Sequence, residues 1–286
     1  MSSLHINPPA KLEDEPRRWF LLNPKRGTGI PVRFGNDVIP YIDYDRYYAA
    51  AAEILEASAA KGTVVLLSGW ALQLDTPVVL NGQSKKIGEL LARVGDRGGG
   101  GQVRVLLSGH LTNPNEPVVS WLNSQKGCEA ILDDRLRVVG SFHQKALVVA
   151  GQQVVAFVGG MDFGADRIAN PSDHRGPWHD VHLRITGPAA ADIYQTLADR
   201  WESWLKNKSN SLRWVAIGGG AVRSKRAVQV VRTYGNPRTG ISLTDLRPSN
   251  SGMEFSRILS RLSKNEFSFA PTGESGIHDL LVQAIW

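Results

Sequence analysis

Short runs that are apolar at almost every position punctuate this chain: VVLL at 64–67, VRVLL at 103–107 and VVAFV at 154–158. Runs of that length bounded by Gly, Ser and Asp read as buried strands, being too short to make core helices. Helical patterns stand between them. Residues 44–60, YDRYYAAAAEILEASAA, are rich in helix formers with Gly62 just beyond, 84–95 predicts a second helix, and 187–206 predicts a third. In the third, Ile193, Leu197, Trp201 and Leu205 recur at i, i+4 and are assigned to the core. Strands are also predicted over 136–149, 153–158, 181–186 and VQVVRTY at 228–234. Strand and helix alternating throughout predicts a layered α/β fold.

With 286 residues and 42% hydrophobic content, the chain can bury a substantial core. The single Cys128 excludes an internal disulfide and a thiolate zinc cluster, and leaves the redox compartment open. The first twenty residues carry no apolar stretch behind a basic one, and no later run approaches the length of a membrane span. A Sec signal and a transmembrane segment are therefore not expected, and localisation is left unassigned between the cytoplasm and export by another route. A net charge of +6 and a pI near 9.5 suit anionic partners without choosing among them. GDRGGGGQ at 95–102 lacks the Lys-Ser/Thr of a phosphate loop and reads as a linker, and RSKR at 223–226 reads as a solvated basic turn.

The final stretch ESGIHDLLVQAIW begins a helical pattern laid out like the segment at 42–58. This predicts a division into residues 1–265 and the opening of a second repeat at 266–286.

Chemistry concentrates in 143–182. On a strand, residues i and i+2 share a face about 6.5–7 Å apart, so His143 and Lys145 are expected side by side. An imidazole there can attack phosphorus or protonate a leaving oxygen, while the ammonium stabilises charge on non-bridging oxygens. Gly159 and Gly160 allow close backbone approach to a ligand, and Asp162 follows them. Asp180 and His182 alternate on one strand face, where a carboxylate can fix an imidazole tautomer. His174, His179 and His182 with Asp180 form an alternative metal set, although their spacing fits no familiar zinc pattern.

HQK at 143–145, AFVGGMDF at 156–163, PWHDVHLRITGPAAADI at 177–193 and RW at 200–201 together resemble the phospholipase D superfamily. That family's signature is His-x-Lys, four residues, Asp, then six residues and Gly-Gly-x-Asn or its Asp variant. The likeness extends to VVLLSGW at 64–70, VQVVRTY at 228–234 and FAPTGESGIHDLLVQAI at 269–285. It implies an α/β sandwich on a central mixed β-sheet flanked by helices, and a phosphodiesterase working through a phosphohistidine without metal or organic cofactor. Carried over by position, His143, Lys145 and Asp180 are the catalytic set. Asp162, Gly159, Gly160 and His182 border the substrate. Ala150 stands where the motif has Asp, on the strand parity opposite to His143 and Lys145, so it is expected to support the site rather than touch substrate.

The family reaction needs two such motifs facing each other, and this sequence contains one. The resemblance therefore implies a half-site acting on phospholipid or another phosphodiester, with peripheral membrane contact. The half would be completed by a second chain bearing His-x-Lys or by a second copy. The rival readings are a silent phosphate-binding or regulatory half and a nuclease working as a twofold dimer.

Overall fold

The computed structural model describes residues 19–21, 30–58, 62–96, 101–109, 114–135, 142–168, 179–205, 224, 226–234, 267–270 and 274–285. In chain order these form β1 (Arg33–Ile42), α1 (Tyr44–Ala57), β2 (Val64–Gly69), β3 (Pro77–Leu80), β4 (Gln83–Lys86), α2 (Ile87–Asp96), β5 (Gln102–Ser108), α3 (Glu116–Asn123) and β6 (Cys128–Asp133). There follow β7 (Lys145–Ala150), β8 (Val154–Gly159), β9 (Val181–Thr186), α4 (Pro188–Leu205), β10 (Arg226–Val228), β11 (Thr233–Tyr234), β12 (Glu274–Ser275) and α5 (Gly276–Ile285).

Eight strands make one mixed sheet in the order β10-β1-β9-β8-β7-β2-β5-β6, with β2, β5 and β6 parallel and the other pairings antiparallel. The central strands are buried on both faces, which is why their sequences show no polar alternation. Their period of two still sorts the side chains. Val65, Leu67, Leu147, Val149 and Phe157 face a core shared with Tyr47, Tyr48 and Leu55 of α1 and Leu90 and Leu91 of α2. Leu66, Ala146, Val148 and Ala156 face α4, where Ile193, Leu197, Trp201 and Leu205 are all buried as their spacing predicts. Each of those four contributes roughly 2 kcal/mol.

Several elements depart from the sequence expectation. The helix predicted from residue 84 begins only at Ile87, because residues 77–86 close a hairpin through Asn81 and Gly82, both at positive φ. Asn-Gly is the sequence signal for that turn. VQVVRTY divides between two strands, since 226–228 pairs with β1 while 233–234 pairs with β12. The β1, β6 and α3 segments lack a strong local signal and owe their form to tertiary pairing. Residues 136–141, the glycines at 98–100 and two of the four residues of RSKR lie outside the described residues; Arg226 of that cluster pairs with Asp37 at 2.8 Å.

Residues 267–270 and 274–285 pack back onto the sheet domain. Phe267 joins Phe142 and Tyr234 in a small core, and Arg232 binds the Glu274 carboxylate through Nε (2.7 Å) and Nη2 (2.8 Å). No helix among the described residues is long and apolar enough to cross a membrane.

Candidate active site

The site forms where β7, β8 and β9 meet the end of β2. Lys145 is the first residue of β7 and pairs in register with Gly159. His143 precedes the strand and is exposed. The two therefore do not stand side by side on a strand face as predicted: the imidazole lies at the surface, and the Lys145 side chain is only 3% exposed. The Lys145 ammonium donates to the His143 carbonyl at 3.1 Å and pairs with Asp162 Oδ2 at 3.2 Å.

Asp162 is seated by the chain leaving β2. Its Oδ1 accepts the Trp70 N–H at 2.9 Å, and the Ala71 N–H also bonds the carboxylate. A Cβ at Gly69 would lie 2.8 Å from that oxygen, so only glycine lets the loop wrap the acid so closely. Tyr48 donates to the Asp162 carbonyl at 2.7 Å and accepts from Gly164 N–H at 3.1 Å, fixing the turn after β8 to α1. Burial pushes the Asp162 carboxyl up, against the pull of Lys145 and the two N–H donors. Burial likewise pulls Lys145 down, with Asp162 opposing. The His143 imidazole is lowered by partial burial and then by the Lys145 charge, so it is neutral near pH 7.

Asp180 lies just ahead of β9 against Gly160, where a side chain on that glycine would collide with the carboxylate. Its N–H donates to Asp43 Oδ1 at 3.1 Å, and its carbonyl accepts the Asp43 N–H at 2.9 Å. Asp43 adopts φ 60°, ψ 178°, a conformation that favours glycine and is sustained here by this reciprocal pair. Asp180 acts on His143 through its charge, which favours the imidazolium, and it stands 4.0 Å from Arg167 Nη1. Arg167, Trp70 and Asp43 thus belong to the site although the sequence pattern does not pick them out. The Trp70 ring centroid is 5.9 Å from that of His143.

His182, predicted to border the substrate, is instead fully buried and stacked on Tyr47, with ring centroids 3.9 Å apart and planes 14° apart. Its Nδ1 accepts the Met161 N–H at 3.4 Å, Nε2 is buried without a hydrogen-bond partner, and burial lowers its pKa to about 3. Gly159 makes room for this ring, since a Cβ there would lie 2.6 Å from His182 Nδ1. The ring is a packing element of the site's floor. The alternative metal set does not assemble among the described residues, because His182 faces the core and His179 turns outward to Asp43; His174 lies outside them.

Ala150 is fully buried on the α4 face, between Val64 and Val154 in register. The residue at the motif's Asp position therefore touches nothing in the site, and its apolar surroundings are matched to alanine.

The family model for phospholipase D matches residues 167–228. Phospholipase D gamma 2 of Arabidopsis thaliana is 31% identical over 108 residues, which is 27% of this chain and 13% of the relative. Phospholipase D alpha 2 of Oryza sativa subsp. japonica is 22% identical over 220 residues, or 52% of this chain and 26% of the relative. The matched region thus spans only a minor part of these relatives. Nuc of Salmonella typhimurium, a phospholipase D family member of known structure, aligns with a TM-score of 0.39 at 15% identity, covering 58% of this chain and 95% of its own. The family match and the curated relatives together support membership of the phospholipase D superfamily.

Proposed function

We propose that this chain supplies one half of a phosphodiesterase site, acting on phospholipid or a related phosphodiester. The observation that carries the reading is an exposed imidazole, His143, two residues from a buried Lys145–Asp162 pair whose charges bear on it. In the reaction, an imidazole nitrogen attacks phosphorus, the P–O bond to the leaving alcohol breaks, and a second histidine delivers the proton to that oxygen. Water, deprotonated by the second histidine, then releases the phosphoryl group from the first. His143 can serve in either role, and the charge of Lys145 stabilises the non-bridging oxygens. The sequence offers one His-x-Lys, so the reading needs a second from outside these 286 residues, tested as a companion chain or a second copy. Ile42 and Val181, cross-strand neighbours beside Asp43 and Asp180, are 60% and 46% exposed and offer an apolar rim for that companion. The names of the curated relatives support phospholipid as the substrate class.

The test is complementation. The 286-residue chain alone is expected to cleave phosphatidylcholine no faster than background. Addition of a polypeptide with its own His-x-Lys restores turnover, and His143→Ala abolishes it while leaving association intact. A positioned acid or base is worth about 10²–10⁴-fold. Turnover should persist in EDTA. Cleavage by the monomeric chain at the rate of the complex would defeat the half-site reading.

A further inference from the structure

His143 stands outside the ladder that fixes Lys145. The last pairs at that end of β7 are Lys145 with Gly159 and Ala146 with Ser68, and residues 142–144 are irregular. The imidazole is exposed, with the Trp70 ring flanking it, while the His143 carbonyl takes the Lys145 ammonium at 3.1 Å. Its place in the chain is set by the grip on the two neighbouring residues. Gln144 is held through its carbonyl, which accepts the Ser68 hydroxyl at 3.3 Å. Phe142 is buried, and its ring is held by other side chains.

Phe142 meets Phe267 edge-on, with ring centroids 5.6 Å apart and planes at 90°. The Arg200 guanidinium lies 4.0 Å from the Phe142 ring centroid, and that of Arg135 lies 4.3 Å from the Phe267 centroid. Phe267 is fully buried, although it comes more than a hundred residues after Phe142. Its segment, residues 267–270, is tied to α4 and β11: the Ser268 N–H donates to Ser203 Oγ at 3.4 Å, and the Tyr234 ring packs on Phe267 at 5.2 Å. Phe269 joins the same cluster from the other side, 4.9 Å from Tyr234 and 5.6 Å from Phe267. Among the described residues its ring contacts do not include Phe142.

Resting on the half-site reading above, we propose that Phe267 is a positioning residue for His143, acting through Phe142: a side chain of the C-terminal segment seats the ring next in sequence to the reactive imidazole. A buried edge-to-face pair has one well-packed arrangement, so truncating Phe267 lets Phe142 sink into the vacated volume and draws the His143 backbone with it. Lys145 and Asp162 keep their places, because the β7–β8 ladder and the Trp70 N–H hold them.

The test follows the His143 ring by proton–carbon NMR in the full chain, with the His182 ring as internal reference and thermal melting as the control for folding. In Phe267→Ala the His143 signal is expected to move and its titration midpoint to rise towards 6.5, as partial burial and the Lys145 charge lose their hold, while buried His182 stays neutral. Phe269→Ala removes a ring of the same cluster and should leave His143 in place. Phe267→Leu should recover part of the wild-type position. If the alanine variants do not fold, the leucine pair decides: Phe267→Leu must displace His143 more than Phe269→Leu does. In the complemented complex Phe267→Ala should lower kcat by up to about 10²-fold, the cost of displacing a reacting group by about 1 Å, with KM little changed. A His143 signal unmoved by the Phe267 variants, or moved equally by the Phe269 variants, overturns the inference whatever the turnover. A His143 signal displaced by Phe267→Ala alone, in a chain whose wild-type complex shows no turnover, leaves the positioning contact standing and sinks the half-site reading.

Discussion

On one side of residues 143–145 the sheet buries Lys145 against Asp162; on the other it buries Arg135 and Arg200 against Asp133. The first pair makes a single contact of 3.2 Å. In the second cluster Asp133 receives Nε and Nη2 of Arg135 at 2.7 and 2.6 Å and Nε of Arg200 at 2.8 Å. The Arg135 guanidinium also lies 4.3 Å from the Phe267 ring, and that of Arg200 lies 4.0 Å from Phe142. Burial works to raise the Asp133 carboxyl, yet the Arg200 charge and the Arg135 hydrogen bonds hold it below its ordinary value. In the first cluster burial prevails instead, pushing Asp162 up and Lys145 down. Two guanidiniums converge on the scaffold acid through three short contacts, although Arg200 Nη2 stays buried without a hydrogen-bond partner, whereas Asp162 meets one ammonium and two main-chain N–H groups.

The two clusters meet at Gln144. Arg200 Nη1 donates to Ser68 Oγ at 2.8 Å, and Ser68 donates to the Gln144 carbonyl at 3.3 Å. The scaffold cluster therefore fixes the residue between His143 and Lys145 while leaving the reactive side alone.

The largest expected effect separates the clusters by stability. Asp133→Asn leaves two guanidiniums buried without their shared acid and should cost about 3–5 kcal/mol, read from the denaturant midpoint. Lys145→Met should cost clearly less, because Asp162 is already pushed towards its protonated form. Equal losses would erase the distinction between scaffold and site.

Ala150→Asp comes next. The family pattern would favour an acid there, but the position is packed in the α4 core between Val64 and Val154. The substitution should cost about 3 kcal/mol. A variant as stable as the wild type would mean that a polar partner reaches this side of the sheet.

A smaller effect comes from His182. With a folded pKa of about 3 it stays neutral while the unfolded chain takes up a proton below about pH 6.5, so acid favours unfolding. Stability should fall by about 1.6 kcal/mol between pH 6.5 and pH 5, and His182→Gln should flatten that slope. Asp133, held below its ordinary value, contributes stability that is lost only at lower pH. A slope unchanged in His182→Gln would place the titrating group elsewhere.

The apolar runs and the i, i+4 stripe of α4 were legible because burial on a regular element leaves a periodic trace. Of the residues picked out by the motif, Lys145 and Asp162 meet at 3.2 Å and Asp180 lies against Gly160. β1 was not legible: RFGNDVIPYI carries Gly35 and Pro40, and its strand form depends on β9, more than a hundred residues away. Nor were the buried charges. Arg200 sits on the apolar face of α4 and Arg167 in a turn, and nothing local distinguishes a guanidinium that meets a distant carboxylate from one in solvent. His182 misled for the same reason, since alternation with Asp180 fixes its parity and not the ring of Tyr47 that covers it.

The titration of the His143 ring, followed by proton–carbon NMR of the full chain and assigned by His143→Ala, tests the central claim most directly. The account predicts a midpoint below 6.5 in the free chain, from partial burial and the Lys145 charge, that rises when inorganic phosphate is added. A midpoint at or above 6.5 that phosphate leaves unmoved would contradict it.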